Sequence, residues 1–199
     1  MENEMSHRFA ETVFTKSVKE QQKAYGSLAH NEKLLTNFGP NDKMGSREID
    51  FISRRDSFYM ATVSETNWPY VQHRGGPTGF LKVLDPRLLA FADFRGNTQL
   101  ISTGNISVNT RCSLILMDYP NRRRLKILGR IRMENTTDPA AEILPEIITD
   151  KFSAVVERVF LIDLTAFDWN CPQHISRRYT EAEFMENTAL AAASKEQSN

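Results

Sequence analysis

Four segments of the chain gather side chains and backbone that a plain structural domain does not need. The first, WPYVQHRGGPTGF over Trp68 to Phe80, carries Gln72, His73 and Arg74 along a strand-like run into Gly75-Gly76. Glycine weakens a strand interior, so a pair of them points to close approach of something to the backbone. A flat ring lying across the strand fits, with Arg74 facing an anionic group; a bulge or sheet corner gives the same pattern. The second, DFRGNTQLISTGN over Asp93 to Asn105, reads as strand, glycine turn and short helix. The N–H groups of such a helix start, with Asn97, Thr98 and Gln99, cradle a phosphate without a large net charge, and an ordinary strand-to-helix turn has the same sequence.

The third segment, DYPNRRRLK, places Arg122, Arg123 and Arg124 in a hairpin. Such a cluster is either a solvated loop or, with one Arg pointing inward, a clamp for a phosphate or a ring edge. The fourth, FDWNCPQHISRR over Phe167 to Arg178, ends a long strand in aromatic, amide, thiol, imidazole and guanidinium groups. Trp169 offers a stacking plane, Asn170 and Gln173 offer donors and acceptors, and His174 is the side chain there suited to moving a proton near neutrality. The alternative is a polar loop with a buried Trp and an inert Cys. A catalytic thiol would pair Cys171 with His174, but Pro172 sits between them and no oxyanion site is evident. Zinc would need Cys112, Cys171, His73 and His174, which lack paired ligand spacing, so no metal is expected. The G-x-G-x-x-G, P-loop and H-E-x-x-H motifs are absent.

The elements that must position these residues are short. With 199 residues and 40% apolar side chains, the chain can bury one good core. Lys plus Arg and Asp plus Glu stand at 25 each, so net charge gives no general attraction to nucleic acid or anionic lipid. No apolar run approaches a membrane span or a signal h-region, and with two cysteines the expected setting is the cytoplasm.

Residues 1–40 read as a polar, weakly helical N-terminal arm, with a helical stretch around Val13 to Tyr25. A short helix capped by Ser46 follows, running to Asp56. From Phe58 to Glu134 the runs are short, β-branched and aromatic, separated by turn residues, and read as antiparallel strands. A helix from Asp138 and one long strand, VERVFLIDLTAFDW, complete a domain over 41–180. Residues 181–199 read as a C-terminal helix and tail, opened by the capping box Thr180-x-x-Glu183. Six strands with small peripheral helices predict a mainly β protein rolled into a barrel.

With those motifs in order, the sequence resembles the pyridoxamine 5'-phosphate oxidase-like proteins, the FMN-binding split-barrel superfamily. Within it, the likeness is to a bacterial subgroup carrying PYVQHRGGPTGF, FADFRGN, LMDYPNRRRLKILGR and DWNCPQH-like motifs, and it covers about Ile49 to Arg178. The resemblance implies a six-stranded antiparallel Greek-key split barrel and a homodimer with FMN in a cleft at its interface. It puts Gln72, His73, Arg74 and Gly75 on the strand along the flavin and Asn97, Thr98 and Gln99 in the phosphate-binding turn. Arg124 would lie against the ring system; Trp169, Asn170, Gln173 and His174 would close the pocket from the partner, and Arg177 and Arg178 fall near the oxidases' substrate. The chain departs from the oxidases where they follow the turn glycine with Ser-Arg-Lys, and Gln72 stands where they carry an Arg.

The expected function is therefore an FMN-dependent oxidoreductase acting on a small molecule, with His174 the first and His73 the second choice for moving a proton. Two other classes fit the same residues: a flavin carrier or sensor without turnover, and a barrel holding deazaflavin or haem, with His73 or His174 as an axial ligand.

Overall fold

Side-chain alternation decides how the middle of the chain folds. In Arg111–Asp118 every second residue, from Cys112 to Asp118, is buried, the period-2 signature of a strand with one face on a core. The computed structural model describes residues 6–37, 39–96, 98–135, 155–169, 172–185 and 188. Three short helices, α1 (Arg8–Val13), α2 (Lys16–Ala24) and α3 (Leu28–Asn37), form the N-terminal arm, and α4 (Ser46–Ser53) leads into the sheet. The strands are β1 (Ser57–Val63), β2 (Pro69–Gly75), β3 (Lys82–Asp85), β4 (Leu88–Phe94), β5 (Arg111–Asp118), β6 (Arg123–Asn135) and β7 (Val156–Trp169), with α5 (Ile101–Val108) between β4 and β5.

The sheet order is β2-β1-β5-β6-β7-β4-β3, and every pairing is antiparallel. The protein is thus mainly β, with seven strands rather than the expected six. The sheet rolls until its two ends meet. Phe58 on β1 packs edge-on against Phe91 on β4 with ring centroids 5.2 Å apart, and Arg74 on β2 bonds to Asp93 on β4. Inside the roll, Phe51, Met60, Leu114, Leu125, Ile127 and Phe160 form a continuous core.

Two local features differ from the sequence reading. The N-cap of α4 is Gly45 rather than Ser46, since Glu48 reaches back to accept from the Gly45 N–H at 3.1 Å. Three helices fill the arm, where one was expected, because Thr15 caps α2 and Gly26, at φ 73°, ends it. The helix expected from Asp138 lies outside the described residues.

Close packing also explains Gly129. It sits at the β6–β7 bulge, where a Cβ would stand 2.5 Å from Ile162 Cγ2 and 2.9 Å from the Asp163 carbonyl oxygen. Its own carbonyl receives the Cys112 thiol at 3.6 Å.

The roll is pinned by charge. Asp93 is 4% exposed and accepts from Arg74 Nη1 at 2.6 Å and from Arg158 Nε at 2.9 Å. Replacing Asp93 by Ala leaves the sequestered Arg74 without its carboxylate and Arg158 with Glu157 alone, and we expect a loss of about 3–5 kcal/mol in urea unfolding. Burial pushes the Cys112 thiol up to about 12 from the ordinary 9.0. The folded chain therefore favours the neutral thiol, a contribution complete below pH 9 and lost as pH climbs towards 12. Stability should fall more steeply across that window in the wild type than in Cys112→Ala, by up to about 1.4 kcal/mol per pH unit, as read from denaturation midpoints.

Candidate functional site

β2 is the strand on which the candidate site is built. Its period-2 geometry turns Gln72 and Arg74 to the inner face and His73 outward, in register with Met60, Phe58 and Tyr59 respectively. Gln72 Oε1 accepts from Ser102 Oγ of α5 at 2.7 Å, and Asn105 Nδ2 of α5 donates to Thr62 Oγ1 of β1 at 3.0 Å. These two bonds fix the helix across β1 and β2. Leu100 precedes its first turn in the left-handed region at φ 55°, and among the described residues no side chain caps it. Thr98 and Gln99 are exposed just ahead of it, while Asn97 lies outside the described residues.

Arg74, which the sequence suggested for an anionic group of a ligand, is engaged internally. Its guanidinium bonds to Asp93, lies 5.3 Å from the Phe160 ring centroid, and leaves Nε buried without a hydrogen-bond partner. Burial pulls its pKa below the ordinary value, and Asp93 counters that shift. Arg158 takes the other carboxylate oxygen and also donates to Glu157 Oε2 at 3.2 Å, so both guanidiniums meet Asp93 at the C-terminal end of β4, immediately before the glycine turn. Arg158 belongs to no recognisable motif, and only the β4–β7 pairing reveals it.

The paired glycines have different reasons. A Cβ on Gly76 would lie 2.7 Å from Phe80 Cγ, so Gly76 makes room for a core ring of its own chain. Gly75 is exposed, with the outward His73 ring its nearest neighbour. That ring packs edge-on against Tyr59 at 5.5 Å, on an outer face where Tyr59 and Val71 are 40% and 61% exposed.

Trp169 belongs to a second group. Its Nε1 donates to Glu48 Oε1 at 2.7 Å, its ring meets Phe51 edge-on at 4.8 Å, and Arg47 and Arg123 lie over it at 4.4 and 5.0 Å. Arg124 is half-buried with its Nε unbonded, while Gln173 and His174 are exposed, His174 at φ 61°. Asn170 lies outside the described residues. Arg158, near the start of β7, meets the Arg74 group through Asp93, whereas Trp169 ends that strand roughly 36 Å further along it, so one chain does not bring Gln72 and Trp169 into a single pocket. Near β1, a cleft of about 360 Å³ is lined by Arg55, Tyr59, Tyr119 and Arg178, with the Arg178 guanidinium 5.1 Å above the Tyr119 ring. Arg177 is exposed beside it.

The zinc set does not assemble, since Cys112 faces the core and His73 faces outward. Among the described residues no group of three or more His, Cys, Asp or Glu is placed to hold a metal, and no helix is long and apolar enough to cross a membrane.

Comparison with known proteins agrees with this architecture. A structure from Lactobacillus delbrueckii named for pyridoxamine 5'-phosphate oxidase is 20% identical, covering 64% of this chain and 94% of its own, with a TM-score of 0.51. HupZ from Group A Streptococcus is 15% identical, covering 68% and 100%, also with a TM-score of 0.51. At these identities the likeness is one of fold. No curated protein matches the chain by sequence. The pyridoxamine 5'-phosphate oxidase family model matches residues 48–168, from α4 to the penultimate residue of β7, and the chain therefore belongs to that family.

Proposed function

We propose that the protein is an FMN-binding flavoprotein, an oxidoreductase acting on a small molecule, with the flavin at the interface of a homodimer. The observation that carries this reading is the uncapped start of α5 beside Gln72 and the buried Arg74–Asp93–Arg158 group. Free N–H groups at a helix start donate to a phosphate and favour it without the cations that follow the turn glycine in the oxidases. The orphaned Nε atoms of Arg74 and Arg124 fit a chain built to receive further acceptors.

In this reading Gln72, Asn97, Thr98 and Gln99 hold the phosphate, and His73 and Gly75 border the ring. Arg74 acts by its charge, through Asp93, rather than as a lone clamp. Trp169, Asn170, Gln173 and His174 come from the partner, which answers why one chain keeps them apart from β2. Bound flavin supplies the electron transfer, and the protein supplies position, electrostatics and exclusion of water. His174, exposed on its loop, is the group placed to move a proton.

The outer face of β2 and β1 is the surface we assign to the dimer. Val71, Tyr59 and the half-buried Ile115 and Met117 make a patch that a second copy would cover. Sedimentation should give a dimer for the wild type and a monomer for Val71→Asp; a monomeric wild type refutes this assignment.

The flavin reading is tested by titration. The purified protein should carry flavin absorbance, release FMN on denaturation, and rebind it after removal. Gln72→Glu places a second negative charge against the phosphate and should weaken FMN by about tenfold or more, near 1.4 kcal/mol, while leaving riboflavin affinity unchanged. A colourless protein that ignores added FMN, or that takes up haemin in its place, overturns the proposal. Reduction of the bound flavin by NADH or NADPH and reoxidation by an acceptor would separate an enzyme from a carrier.

A further inference from the structure

The N-terminal arm roofs a second cleft. α1 packs on β7 with Phe9 and Ala10 buried, and Lys126 Nζ stands 4.7 Å above the Phe9 ring. The arm is held by backbone bonds from His7 N to Leu35 O and from Arg8 N to Pro40 O, at 3.2 and 3.1 Å, and His7 Nδ1 caps α1 by accepting from the Ala10 N–H. Between the arm, α4 and the ends of β6 and β7 lies a cleft of about 530 Å³. That is the size of a site for a small organic molecule. Phe9, Val13, Phe14 and Trp169 give it an apolar wall.

The charges around this cleft are not equivalent. Glu48 is committed, since it accepts from Trp169 Nε1 at 2.7 Å and from the Gly45 N–H at 3.1 Å. Asp168 is held by Lys126 at 3.1 Å. Arg47 and Arg123 both lie over the Trp169 ring, and no carboxylate of the described residues pairs with either. An indole face attracts a guanidinium but does not neutralise it. The cleft therefore combines a flat aromatic wall with a guanidinium, Arg47, that no carboxylate of the described residues pairs with.

We propose that this cleft binds a small planar aromatic carboxylate, its ring against Trp169 and Phe14 and its carboxylate on Arg47. The proposal shares Trp169 with the flavin reading but rests on Arg47 and the arm-side cleft, in which Gln72, Arg74 and α5 take no part.

Trp68 and Trp169 are the two tryptophans of the chain, and Trp68 is 76% exposed, so a Trp68→Phe variant leaves Trp169 as the reporter. The probes are 2-aminobenzoate and its neutral counterpart 2-aminobenzamide, titrated against Trp169 emission. We expect saturable quenching by the carboxylate, with the amide bound about three- to fivefold more weakly. Arg47→Gln in the same background should abolish that preference while keeping the circular dichroism and melting curve of its parent. Absence of saturable quenching, equal affinities for the two probes, or a preference that survives Arg47→Gln overturns the proposal. So does displacement of the carboxylate by FMN, which would make the cleft part of the flavin site.

Discussion

Asp93 is the one carboxylate on which the closure of the sheet depends. It lies on β4, one strand in from the β3 edge, and takes hydrogen bonds from Arg74 on the opposite edge strand and from Arg158 on β7. The strand order is open, with no hydrogen-bonded pairing between β2 and β3, so the ends of the roll are joined by the connection over residues 76–81 and by side chains. An aromatic layer of Phe58, Phe80, Phe91 and Phe160 fills the space behind this charge group and excludes water from it. Coulomb attraction grows as water leaves, and an isolated charge there would be costly, so the three side chains stand or fall together.

The same group sets the character of the candidate site. Arg74 and Arg158 both meet Asp93 at the end of β4, just before the glycine turn, and Arg158 reaches Glu157 as well. α5 then crosses back over β1 and β2, tied by Ser102 to Gln72 and by Asn105 to Thr62. Sheet closure and the anion site proposed above thus draw on one set of residues. At the other end, Trp169 joins α4 to β6 through Glu48, Phe51 and Arg123, and the N-terminal arm closes over that junction.

Two residues whose types suggest function have architectural partners. Gly76 yields its Cβ space to Phe80. Arg74 spends its best hydrogen bond inside the protein. Each looks, in a linear sequence, like a residue awaiting a ligand, because the group that uses it is brought in from a distant element.

Alternating β-branched and aromatic runs between turn residues were enough to give a mainly β chain with antiparallel strands, and four ordered motifs gave its family. Local spacing carries both signals: a strand has period 2, and a glycine turn before a helix is contiguous. The cap at Gly45 and the pairing of Arg74 and Arg158 with Asp93 were decided only in three dimensions. Asp93 and Arg158 lie 65 positions apart and meet through the β4–β7 pairing, and no local pattern marks the partner of a buried charge. The sequence by itself determined which residues could bind an anion; tertiary structure decided which of them were already taken, because a buried guanidinium must find its carboxylate wherever the fold supplies one.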